Sequence, residues 1–73
     1  MDAHIVDIVI KAHLKEMSER LDRAASLGRA ALTCADTGNV SKGIEIALDV
    51  EQLIYEVTTL LNAASMINRL GAD

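Results

Sequence analysis

The chain has 73 residues, a net charge of −4, one cysteine, one tyrosine, and no proline, tryptophan or phenylalanine. So short a chain is near the lower limit for a core that holds unaided, and a single thiol excludes the internal disulfide that many small proteins use instead. The acidic balance argues against a phosphate backbone as main ligand, and one aromatic leaves no platform for stacked bases or sugars. The lone Cys34 suggests a reducing compartment, so a cytoplasmic location is expected.

The first residues, Met1-Asp2-Ala3-His4, contain no basic segment. The apolar run from Ile5 to Ile10 is broken by Asp7 and has no cleavage pattern, so neither a signal peptide nor a membrane span is expected. The β-branched residues of this run leave a strand as an alternative to helix. A strand and then two helices is the order of ribbon-helix-helix DNA-binding dimers. The helices here are about twice as long as in that family, and the candidate strand offers aliphatics and one acid rather than basic side chains. A helix is the expected state.

From there Ile10, Leu14, Met17, Leu21, Ala24, Gly28, Ala31 and Ala35 recur in steps of four and three. This 3.5-residue period marks helices packed at a shallow angle. With no proline to interrupt it, a first helix is predicted over about residues 3–36. Asp36-Thr37-Gly38-Asn39 is the only turn-rich cluster; Gly38 suits a left-handed helix end, and Asn39 or Ser41 can cap a second helix. The second seam, Ile46, Val50, Leu53, Val57, Leu60, Ala64 and Ile67, predicts a helix over about 41–70, stopped by Gly71. The link is so short that the helices must fold back antiparallel.

The expectation is an all-α, antiparallel two-helix hairpin forming one domain over residues 1–73. Its turn end carries small residues (Gly28, Ala31, Gly43, Ala47), predicting close helix contact there, with Gly28 present for packing. Away from the turn the seams become bulky, which predicts splaying or the entry of other helices. Roughly twenty large aliphatics, at about 1.5–3 kcal/mol each when fully buried, outweigh the ordering entropy only if most are covered. One partner helix per seam cannot do this. The hairpin is therefore expected to dimerise into a four-helix bundle. The expected interface is Leu14, Met17, Leu21, Leu53, Val57 and Leu60, with Ile5, Val9, Leu48 and Tyr55 left for a further contact.

Few residues suggest chemistry. His13 and Glu16 are three apart, as in half of a di-metal bundle site, but the order is His-x-x-Glu and the seams carry no carboxylate. Histidine-kinase dimerisation domains are also hairpins that pair into four-helix bundles, with a phospho-accepting histidine on the first helix. The resemblance of His13 to that group is architectural: His13-Leu14-Lys15-Glu16 lacks the acidic residue after histidine and the downstream proline. Asp36-Thr37-Gly38 matches the three-letter core of aspartic proteases, but between helices it is turn chemistry. Cys34 has no CxxC partner and is expected as a small buried hydrophobe. Lys11, Lys15, Arg20, Arg23 and Arg29 lie among acids at i,i+3 and i,i+4 spacing, forming a solvated charged face.

No cofactor, metal or small-molecule substrate is expected, and no enzymatic activity. The expected role is a homo-oligomeric helical-bundle interaction module: an adaptor, chaperone or regulator of another protein. The alternatives are a nucleic-acid-binding regulator, an activity known for hairpin dimers of plasmid RNA-binding proteins, and a phosphotransfer unit.

Overall fold

The computed structural model describes residues 2–71. Helix α1 spans Ala3–Asp36 and helix α2 spans Val40–Gly71, packed against each other as a hairpin about 55 Å long. Both helices agree with the predicted bounds to within one residue. The β-branched run Ile5–Ile10 is helical, so helix propagation overrides local strand preference there. Its start is fixed by Asp2, whose Oδ1 accepts the His4 backbone N–H at 2.8 Å and satisfies one of the unpaired donors of the first turn.

The turn rests on two residue choices. Gly38 takes φ +96°, a left-handed conformation that costs a glycine little. This lets the Gly38 N–H reach the Ala35 carbonyl at 3.1 Å and the Asn39 N–H reach Cys34 at 2.9 Å, the paired bonds of a Schellman end. Thr37 Oγ1 donates to the Thr33 carbonyl at 3.0 Å, so the Asp-Thr-Gly segment is indeed turn chemistry. One residue later the Asn39 side chain accepts the Lys42 N–H at 3.0 Å and opens α2. Helix stop, reversal and restart occupy three residues.

The helices meet along Ile10, Met17, Ala24 and Ala31 from α1 and Val50, Leu53, Val57, Leu60 and Ala64 from α2, all buried or half-buried. The α2 seam is the one its periodicity predicts. On α1 the contact is rotated by about half a residue step: His13, Arg20, Leu27 and Cys34 complete the seam, while Leu14, Leu21 and Gly28 lie outside it and are exposed. Size is the reason at the turn end. A Cβ on Gly43 would lie 2.8 Å from the Ala31 carbonyl oxygen and 3.5 Å from the Ala35 Cβ, so the α2 backbone fits against this edge of α1. Gly28 takes no part, since a Cβ there would meet nothing within 4 Å, and Ala47 is exposed. Of the four small residues predicted to make the close contact only Ala31 and Gly43 do so, with Ala35 beside them.

The expected splaying at the open end is absent from the last turn. A Cβ on Gly71 would lie 2.8 Å from Val6 Cγ1. Gly71 is thus a recess for Val6, besides being the last described residue of α2. Gly43 and Gly71 are four heptads apart on one seam line, and each end of the hairpin is closed by a glycine. Among the described residues no helix is long and apolar enough to cross a membrane.

Gly43→Ala separates packing from propensity. Alanine is favoured over glycine in a helix by about 1 kcal/mol, but the added methyl meets backbone that must move, a cost of about 1–3 kcal/mol. A net loss of stability of about 1 kcal/mol is expected in urea unfolding monitored by circular dichroism. A variant more stable than the native chain would show that the close approach is not a constraint.

Candidate interaction surface

Two flanks run beside the seam, and they differ in chemistry. On one flank Arg20 reaches out from its seam position, its Nε donating to Glu56 Oε1 across the helix pair at 2.8 Å. Its Nη1 donates to Glu16 Oε2 at 2.6 Å and to the Glu16 carbonyl at 3.1 Å, and Gln52 Nε2 donates to Glu56 Oε2 at 2.9 Å. The aliphatic stem of Arg20 lies along the seam while its head stays in water, as long basic side chains do beside apolar surface. Sequence periodicity places Leu21 in the seam and Arg20 among the solvated charges. The cross-helix partner Glu56 becomes apparent only once the rotation of α1 is known.

Hydrogen bonds from Gln52 and Arg20 hold the Glu56 carboxyl below the usual glutamate range, and those to Glu16 and Glu56 raise the Arg20 guanidinium further. The pair is solvent-accessible, so it orients the helices more than it stabilises them.

Because Glu16 and Glu56 meet at Arg20, the flanks that carry them lie on one side of the hairpin. At 3.6 residues per turn, the opposite flank of α1 presents Leu14, Leu21 and Gly28, and that of α2 presents Ala47, Ile54 and Leu61. Three cross-helix contacts, Ala31 with Gly43, Arg20 with Glu56 and Val6 with Gly71, fix which residues stand level. Leu14 is level with Leu61, Leu21 with Ile54, and Gly28 with Ala47. The four large side chains are 45–51% exposed. Leu32, Val40 and Ile44 extend this apolar strip toward the turn, each 59–62% exposed. One side of the hairpin is therefore charged and the other is an open apolar face.

The expected interface residues fall into three places. Met17, Leu53, Val57 and Leu60 pack within the hairpin, with Leu53 buried and the others half-buried. Leu14 and Leu21 lie on the apolar face. Ile5, Leu48 and Tyr55 are exposed, Tyr55 most of all at 67%, and Val9 is half-buried. Leu48 and Tyr55 lie on the back of α2, with Glu51 and Gln52, around a shallow open depression. This surface is separate from the apolar face.

The residues weighed for chemistry are otherwise engaged. His13 Nδ1 donates to the Val9 carbonyl at 2.8 Å, and Glu16 is held by Arg20, so the two do not converge. Among the described residues no group of three or more His, Cys, Asp or Glu side chains is arranged to hold a metal ion. Cys34 is half-buried beside the turn. Lys42 contacts Glu45 at 3.5 Å in the expected i,i+3 manner.

The lowered Glu56 carboxyl gives the charged flank a pH signature. A group whose pKa is depressed by folding stabilises the fold above its unfolded pKa, about 4.3 for glutamate, and that contribution fades as pH falls through the folded value. The native chain should melt higher than Glu56→Gln at neutral pH, and the gap should close on acidification through this range. Equal melting temperatures at neutral pH would show that the ion pair does not contribute.

No protein-family model, curated protein or solved structure matches this chain.

Proposed function

We propose that the hairpin is a non-catalytic interaction module that works as a homodimer, two hairpins forming a four-helix bundle, and that docks another protein on the apolar surface left outside. The observation that carries this reading is the division of the molecule into a charged side and an apolar side. A hairpin with no use for association would have polar residues on both flanks, as its Glu16–Arg20–Glu56 flank does. Among the described residues thirteen large hydrophobic side chains are instead exposed, against five buried apolar residues, three of them alanine. An apolar surface of this extent on so small a chain marks an interaction site.

Within this reading, Leu14, Leu21, Ile54 and Leu61 form the dimer face. Met17, Leu53, Val57 and Leu60 hold the hairpin together and contribute their remaining exposure to the bundle core. Ile5, Val9, Leu48 and Tyr55 lie away from that face, and through them the module contacts another protein as an adaptor, chaperone or regulator. The ion pairing of Arg20 with Glu16 and Glu56 favours this over nucleic-acid binding, and the His13-Leu14-Lys15-Glu16 context, with no acid directly after the histidine, favours it over phosphotransfer.

Light scattering over a dilution series should give twice the chain mass at micromolar concentration, and a folded monomer would overturn the reading. Leu53→Asp should abolish helicity and assembly together, because it puts an unpaired charge at a buried position of the seam, at a cost of several kcal/mol. Retention of the native circular dichroism spectrum by this variant would contradict the seam described above.

A further inference from the structure

The apolar face has a graded profile that indicates how a second copy would sit on it. From the open end toward the turn its levels are large (Leu14 and Leu61), large (Leu21 and Ile54), then small (Gly28 and Ala47). Gly28 is the unexplained residue of the hairpin. Glycine in a helix interior is unfavourable, and a Cβ at Gly28 would meet nothing within 4 Å, so nothing in its own chain needs it. The chain exposes 5351 Å² of surface in all, and this open side runs the length of the hairpin. A stable interface of standard size needs about 800 Å² from each partner. The face is large enough for a second hairpin and has the recess that a close neighbour would require.

Building on the homodimer reading above, we propose that the occupant is a second copy of this chain lying with its turn at the opposite end. Leu14 and Leu61 of each copy then seat over Gly28 and Ala47 of the other. A two-fold axis perpendicular to the helices, through the Leu21–Ile54 level, produces this match. Leu14 and Gly28 are each seven residues from Leu21, and Ala47 and Leu61 are each seven from Ile54. The same axis sets Leu21 against Leu21 and Ile54 against Ile54 at the centre. The other two-fold arrangement, with both turns at one end, sets Gly28 against Ala47 and Leu14 against Leu61. That leaves a void at one level and crowds another, and both are unfavourable in a packed core.

The test uses the full chain with Cys34→Ala and a spin label at Asp36→Cys, an exposed position at the end of α1. With the turns at opposite ends the two labels of a dimer lie on the order of 45 Å apart, from the helical rise between Asp36 and the axis. A distance distribution centred below about 30 Å would overturn the proposed arrangement while leaving the homodimer intact. A monomer by light scattering would overturn both. Gly28→Leu is the companion variant, because it improves helix propensity yet fills the recess. It should leave helix content equal or higher and raise the dimer dissociation constant about tenfold or more. Lys15→Ala, on the far side of α1, should leave the dissociation constant unchanged. A Gly28→Leu dimer as tight as the native one would refute the recess.

Discussion

The angle through which α1 is turned about its own axis determines the character of every other surface. Two close contacts at glycines set that angle: the α2 backbone at Gly43 against the Ala31 carbonyl, and Val6 in the recess at Gly71. Between them Arg20 spans the pair to Glu56. Each of these fails if α1 rotates by a fraction of a turn, because a backbone recess accepts one neighbouring residue and a guanidinium reaches one carboxylate. Once α1 is held in this way, Leu14 and Leu21 cannot enter the seam, and they form a face with Ile54 and Leu61 of α2.

That outcome is at odds with the simplest view of hydrophobic burial. If the hairpin alone maximised buried area, α1 would turn its leucines inward and leave Arg20 in water. It instead places His13 and Arg20 beside the seam and, among the described residues, buries only the apolar side chains of Val6, Ala24, Ala31, Leu53 and Ala64. The inner contact is narrow and made largely of small side chains, which favours close approach of the helices over bulk. The larger aliphatic residues remain outside, where they can act between molecules.

Much of the architecture is legible in the sequence. On α2 apolar residues also flank the seam (Ala47, Ile54 and Leu61), but Ile46, Val50, Leu53, Val57, Leu60, Ala64 and Ile67 form an unbroken stripe, and that stripe is the one that packs. The turn is legible because Gly38 and Asn39 have narrow conformational roles. On α1 the pattern is ambiguous: Met17, Ala24 and Ala31 belong to both possible stripes, completed either by Leu14, Leu21 and Gly28 or by His13, Arg20 and Leu27. Hydrophobicity alone favours the first. The second prevails through steric fit at Gly43 and a charge pair 36 residues apart in sequence, neither of which a periodicity count contains. The recess at Gly71 is hidden for a related reason, since a glycine near a helix end looks like a stop whether or not it also receives a neighbour. The cap at Asp2, by contrast, is readable from its residue type and its place before the first helical turn.

The three-residue link also affects the order in which the hairpin can come apart. Joining Ala31 to Gly43 closes a short loop, whereas joining Val6 to Gly71 closes almost the whole chain, and the entropic cost of closure rises with the length enclosed. The join at the turn therefore forms early and persists, while the join at the chain ends depends on everything between them already being zipped. Local opening begins at the termini and advances toward the turn. The apolar face is thus laid on a frame that is most rigid around Gly28 and Ala47 and loosest beyond Leu14 and Leu61.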